Sequence, residues 1–141
     1  MLWAYRRGIA THRMKPRLLI AENHPAMRTK VASLLQRDFD VIASVAEGQA
    51  AVDATCQFLP DLVILDVSMP VLDGLDVARR LKAQGCGAKI VFISVSRDLS
   101  QIAACLEAGG DAYVSKMRLV TDLTAAITEV LAGRRFISPD V

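Results

Sequence analysis

Five short apolar runs recur along the chain: RLLIA (17–21), DVIASV (40–45), DLVILD (61–66), KIVFIS (89–94) and DAYVS (111–115). They are continuous rather than alternating, the pattern of strands covered on both faces in a parallel sheet. Between them lie stretches with helical spacing. Met27, Val31, Leu34 and Leu35 form one stripe, and Leu75, Ala78 and Leu81 another. Leu99, Ile102, Ala103 and Leu106 form a third, and Leu119, Leu123, Ile127, Val130 and Leu131 the last. The Ala-rich segment from Gly48 to Gln57 is shorter and carries a weaker helical pattern. Pro25 suits a first helical turn, while Gly85 and Gly87, Gly109-Gly110 and Gly133 suit helix ends. This order, strand then helix five times with short connections, predicts an α/β domain with a doubly wound, five-stranded parallel sheet.

In such a sheet, sites form beyond the carboxyl ends of the strands, where the strand order reverses. The residues at those ends are Glu22 and Asn23, Asp66, Ser94 and, just past the fifth run, Lys116. Each has an ordinary structural role open to it. Asp66 can cap a turn, Asn23 and His24 can cap the helix near Pro25, and Lys116 can be a solvated lysine. Together they point to chemistry. Two carboxylates and an amide oxygen at the rim of a core call for a cation, and oxygen ligands of this kind suit Mg²⁺. Asp66 can then accept a phosphoryl group covalently, with Lys116 and Ser94 holding its oxygens. No P-loop, GxGxxG or HExxH is present, so a nucleotide or zinc-protease reading has no support.

The 141 residues suit one domain with a substantial core. The formal charge of +2 is unevenly spread, since residues 1–17 hold five basic residues and no acid, leaving 12 basic against 15 acidic residues. Residues 1–15 read as a flexible basic extension rather than a nucleic-acid contact, with Met14 a second candidate start. Cys56, Cys86 and Cys105 are odd in number and far apart. They suggest reduced thiols in a cytoplasmic protein, not a disulfide framework or a thiolate metal site. No apolar stretch is long enough to span a membrane.

With these residues laid out, the chain resembles the receiver domain of bacterial two-component response regulators. The strongest signal is LVILDVSMPVLDG (62–74), and IAENHPAMR and AAITEVLAGRRFISPDV point to receivers of the NarL/FixJ (LuxR-type) transcriptional regulators. The resemblance implies a (βα)5 flavodoxin-like fold with strand order 2-1-3-4-5, spanning residues 16–135, with 136–141 beginning a linker or tail. It implies that Asp66 is the phosphoacceptor, and that Ser94, Lys116 and Tyr113 bind the phosphoryl group and switch, Tyr113 moving inwards. It implies Mg²⁺ held by Glu22, Asn23, Asp66 and the backbone carbonyl of Ser68. A sensor histidine kinase is the expected donor. A homodimer is expected through either the surface of the fourth helix, fifth strand and fifth helix or that of the first and fifth helices. No nucleic acid or membrane contact by this chain is expected; a helix-turn-helix domain elsewhere in a longer regulator would bind DNA. The family usually carries two acids where Glu22-Asn23 stand, so the neutral Asn23 should weaken the metal site. A phosphorylation-independent interaction module is therefore the alternative. A dehalogenase-like phosphatase is disfavoured, because the second Asp that chemistry needs is Ser68 here.

Overall fold

A computed structural model of the chain describes residues 15–139. The basic extension expected over residues 1–15 lies almost wholly outside the described residues; Lys15, at its end, donates from Nζ to the Arg37 carbonyl at 2.9 Å.

All five apolar runs are strands: β1 (Arg17–Ala21), β2 (Asp40–Val45), β3 (Leu62–Asp66), β4 (Lys89–Ser94) and β5 (Ala112–Ser115). The helices between them are α1 (Pro25–Leu35), α2 (Gly48–Phe58), α3 (Gly74–Ala83), α4 (Leu99–Glu107) and α5 (Leu119–Leu131). Every strand pairing is parallel, and the order is β2-β1-β3-β4-β5-β6, where β6 is the short Phe136–Ile137. The alternation of side chains along the buried strands splits the core into two layers. Leu18, Ile20, Ile64, Val91 and Ile93 pack against Val31 and Leu35 of α1 and Leu123, Ile127 and Val130 of α5. Leu19, Ala21, Val63, Leu65, Ile90 and Phe92 face the opposite way, against Val52, Val77, Ala78, Leu81 and Cys105. A sheet covered on both sides is what continuous apolar runs require.

The expected strand order 2-1-3-4-5 is the one found, and one edge strand adds to it: Phe136–Ile137 form β6 beside β5. Gly133, at φ +88°, turns the chain back after α5, a conformation a glycine adopts at little cost. Ser138 then locks the returning chain, its N–H donating to the Tyr113 carbonyl at 2.9 Å and its Oγ to Asp122 Oδ2 at 2.7 Å. The third helical stripe is displaced. Leu99 is 78% exposed, whereas Cys105 and Ala108 are buried. Asp98 caps α4 by accepting from the Ser100 N–H, so Leu99 stands in the first turn facing outwards. The inward line is Gln101, Cys105 and Ala108, and its polar first member hides it from hydrophobic periodicity.

Candidate functional site

Strand order reverses between β1 and β3, since β2 lies on one side of β1 and β3 on the other. Glu22 directly follows β1 and Asp66 ends β3, so the topology sets both carboxylates at this switch point. Both are buried, Glu22 at 0% and Asp66 at 1% exposure. Gly74 opens α3 tightly against Asp66: a Cβ there would stand 2.4 Å from the Asp66 carbonyl oxygen. The Asp73-Gly74 pair therefore lets the helix start beneath the acid without displacing it, while the Asp73 carboxylate caps α3 at the Asp76 N–H.

Lys116, at the end of β5, joins the two acids. Its Nζ lies 2.9 Å from Glu22 Oε1 and 3.1 Å from Asp66 Oδ1, with the lysine side chain 8% exposed. One ammonium thus serves two buried carboxylates, which fall on opposite sides of their ordinary titration range. Burial pushes Glu22 upwards, but the His24 backbone N–H at 2.9 Å and the Lys116 ammonium outweigh it and hold it low. Burial and the Glu22 charge push Asp66 up, against the pull of Lys116 and the Ser68 N–H. A carboxylate raised in this way is the more nucleophilic of the two once ionised.

The structure brings Glu22, Asp66 and Lys116 into contact. Asn23 is half-buried and meets the site through its backbone, whose N–H points at Asp66 Oδ2 at 3.4 Å. Ser68 is exposed and likewise donates its N–H to Asp66 Oδ1 at 3.2 Å. Ser94 is buried at the end of β4, its hydroxyl turned to Gln101 Oε1 at 2.9 Å. Tyr113 is 1% exposed, with its hydroxyl 2.6 Å from the Ser96 carbonyl and 2.9 Å from Gln101 Oε1. Tyr113 therefore faces inwards in this structure.

Three participants were not singled out as site residues from the sequence. His24 makes no side-chain cap on α1; its Nδ1 lies 3.3 Å from Glu22 Oε2 instead. Arg28 donates to the carbonyls of Glu22 at 2.8 Å and Asn23 at 3.4 Å, tying down the β1–α1 turn. Gln101 links Ser94 to Tyr113. Polarity on otherwise apolar helix faces was the available signal for Gln101, and nothing in the spacing marked Arg28.

Glu22, His24 and Asp66 each offer a ligand atom, all within 4.8 Å of one another. Glu22 Oε1 is buried without a partner in hydrogen-bond geometry, although the Lys116 charge is close. A buried oxygen met only by a point charge fits a cation, and the group can coordinate a divalent ion weakly. The ammonium already offsets much of the acid charge, which limits that affinity.

Among the described residues, no helix is long and apolar enough to cross a membrane. Residues 18–128 match the family model for the response regulator receiver domain. The chain is 32% identical over 129 residues to a nitrate/nitrite response regulator protein homolog of Haemophilus influenzae, covering 90% of this chain and 62% of that protein. It is 33% identical over 126 residues to the nitrate/nitrite response regulator protein NarP of Escherichia coli K12, covering 88% and 59%. The crystal structure of a LuxR-family two-component response regulator from Aurantimonas sp. SI85-9A1 superposes with a TM-score of 0.85 at 28% identity, over 89% of this chain and 91% of that one. The chain spans about three fifths of the length of the curated relatives it matches. A receiver domain is a signalling module rather than a classical catalytic enzyme, and this chain belongs to the response regulator receiver domain family, close to its NarL- and LuxR-type members.

Proposed function

We propose that Asp66 accepts a phosphoryl group from a sensor histidine kinase and that the resulting change in the Ser94–Tyr113 region controls transcription through a DNA-binding domain of a longer regulator. The observation that carries this reading is the buried Asp66 carboxylate, raised by burial and by Glu22 yet held by the Lys116 ammonium at 3.1 Å. An Asp66 oxygen forms the new P–O bond as the P–N bond of the phosphohistidine breaks. Lys116 is placed to follow the charge onto the phosphoryl oxygens, and Ser94 to donate once its hydroxyl leaves Gln101. Glu22, Asp66, the Asn23 side chain and the Ser68 carbonyl, with His24 beside them, would hold a divalent cation. That ion would supply neutralising charge at the acceptor oxygens.

Asn23 and the doubly paired Lys116 favour one other reading, a receiver whose surface works without phosphorylation. Incubation with acetyl phosphate and Mg²⁺, followed by intact-mass measurement and peptide mapping, separates the two. One added phosphoryl group on wild type, absent from Asp66→Asn and increased in Asn23→Asp, supports the switch. An unchanged mass in both wild type and Asn23→Asp sinks it.

A further inference from the structure

Gln101 stands at the one place where the strand-end hydroxyl, the buried phenol and α4 meet. Its Oε1 is 2.9 Å from Ser94 Oγ and 2.9 Å from the Tyr113 hydroxyl. Proton accounting fixes the roles. Ser94 and Tyr113 bring one O–H each; the acceptors facing them are Gln101 Oε1 and the Ser96 carbonyl, and the two hydroxyls also meet each other. Tyr113 makes its shorter contact, 2.6 Å, to the Ser96 carbonyl, so the Ser94 proton goes to Gln101. The Ser94 oxygen meanwhile accepts from the Ser96 N–H at 3.1 Å. Ser94 thus has its only proton already engaged.

We propose that Gln101 is a positioning residue that competes with the phosphoryl group for the Ser94 hydroxyl, and so sets how strongly Asp66 must be loaded before the switch moves. This rests on the phosphoacceptor reading of Asp66. Arrival of a phosphoryl group draws the Ser94 proton away from Gln101 Oε1. The freed Oε1 is left with Tyr113, and because Gln101 belongs to α4 the loss is felt at the start of that helix. The resemblance pairs Ser94 with Tyr113 as the two halves of the switch; the amide between them makes the exchange a substitution of one acceptor for another.

The test is titration with beryllofluoride, a phosphoryl mimic, in Mg²⁺. It is followed by backbone and side-chain amide NMR in wild type, Gln101→Leu, Ser94→Ala and the double variant, with thermal melts run alongside. Gln101→Leu keeps the bulk and removes the acceptor. It should lower the half-saturating concentration about fivefold, the worth of one net hydrogen bond of about 1 kcal/mol. In the Ser94→Ala background the same change should have no effect, which a merely structural role could not produce. An equal shift in both backgrounds, no shift, or weaker binding in Gln101→Leu overturns the proposal; the last result would mean that the amide donates to Ser94. Without beryllofluoride, Ser94→Ala must move the Gln101 side-chain amide signals, and unchanged signals also overturn it. If wild type binds no beryllofluoride while those signals still move, the Asp66 reading falls and the Gln101–Ser94 contact stands.

Discussion

Replacing Lys116 with methionine removes an ammonium and keeps most of the side-chain stem, leaving Glu22 and Asp66 facing each other in the core. Their ligand atoms lie within 4.8 Å. At an effective dielectric of about 20, unit charges at that distance repel by about 3.5 kcal/mol. Breaking a buried ion pair by deleting one partner costs about 3–5 kcal/mol, so both routes agree on a loss of about 3–5 kcal/mol at pH 7. The loss must depend on pH. In the wild type the ammonium holds Glu22 low while Asp66 is already raised. Without it both carboxylates rise above their unfolded values, and the folded state binds more protons than the unfolded one. Stability then falls as pH rises from the unfolded carboxylate range towards neutrality. Below that window one shared proton removes the repulsion. Urea unfolding of Lys116→Met and wild type at pH 5 and pH 7 reads this directly, with Mg²⁺ added in parallel. The deficit should be smaller at pH 5, and Mg²⁺ should restore more stability to the variant than to the wild type by mass action. A deficit of equal size at both pH values, untouched by Mg²⁺, would show that Lys116 acts through packing and that the carboxylates never faced each other charged.

Three further outcomes follow from other parts of the fold. Val71 sits at φ +70° in a tight turn closed by the Leu72 N–H on the Pro70 carbonyl at 2.7 Å, and it is 76% exposed. A β-branched residue is strained there by about 1–2 kcal/mol, so Val71→Gly should raise stability by about 0.5–1 kcal/mol after the entropy of glycine is counted; a lower denaturation midpoint contradicts this. Gly74→Ala drives a methyl into the Asp66 backbone at 2.4 Å. It should cost about 1–3 kcal/mol of overpacking and shift the amide signals of Asp66 and Val67, whereas a silent variant would mean that α3 simply slides away. Asp122, held low by Arg118 at 2.8 Å and Ser138 at 2.7 Å against the push of burial, anchors β6. Its stabilisation is present above the unfolded carboxylate value and is lost as pH falls through the lower folded one. Asp122→Asn should cost about 1.5–3 kcal/mol and speed hydrogen exchange at Ser138; unaltered exchange there would exclude the anchoring role.

Strand identity was legible because β1, β3, β4 and β5 are buried on both faces and so had to be written in continuous apolar residues. The site was legible because the topology alone carries Glu22 and Asp66 to one point. Three things escaped. Phe136–Ile137 is a two-residue strand with no run to read, and its place depends on Ser138 reaching Asp122 and the backbone N–H of Ser115. The inward line of α4 begins with a glutamine, and a hydrophobic-stripe search passes over a polar residue that faces inwards to satisfy two hydroxyls. His24 does stand at the N-cap position of α1, but its side chain caps nothing: its ring and its backbone N–H both meet Glu22 Oε2. Local sequence rules describe what a residue can do for its own helix, not what a neighbouring buried charge demands of it.

That demand also explains how the chain can carry the neutral Asn23 beside Glu22. Glu22, Asp66 and Lys116 sum to one negative charge, and the backbone N–H groups of Asn23, His24 and Ser68 all point at the two carboxylates. A third carboxylate would add like charge to a pair in which Asp66 is already pushed up by Glu22. The neutral amide therefore favours the protein without a cation, and an added acid favours the protein with one. Asn23→Asp should accordingly lower stability in chelator and raise divalent-ion affinity together, since the same repulsion is the penalty in one state and the attraction in the other. Measuring unfolding in chelator and binding of Mg²⁺ on the same variant tests the balance: a change in one without the opposite change in the other would mean that residue 23 lies outside the field of the pair.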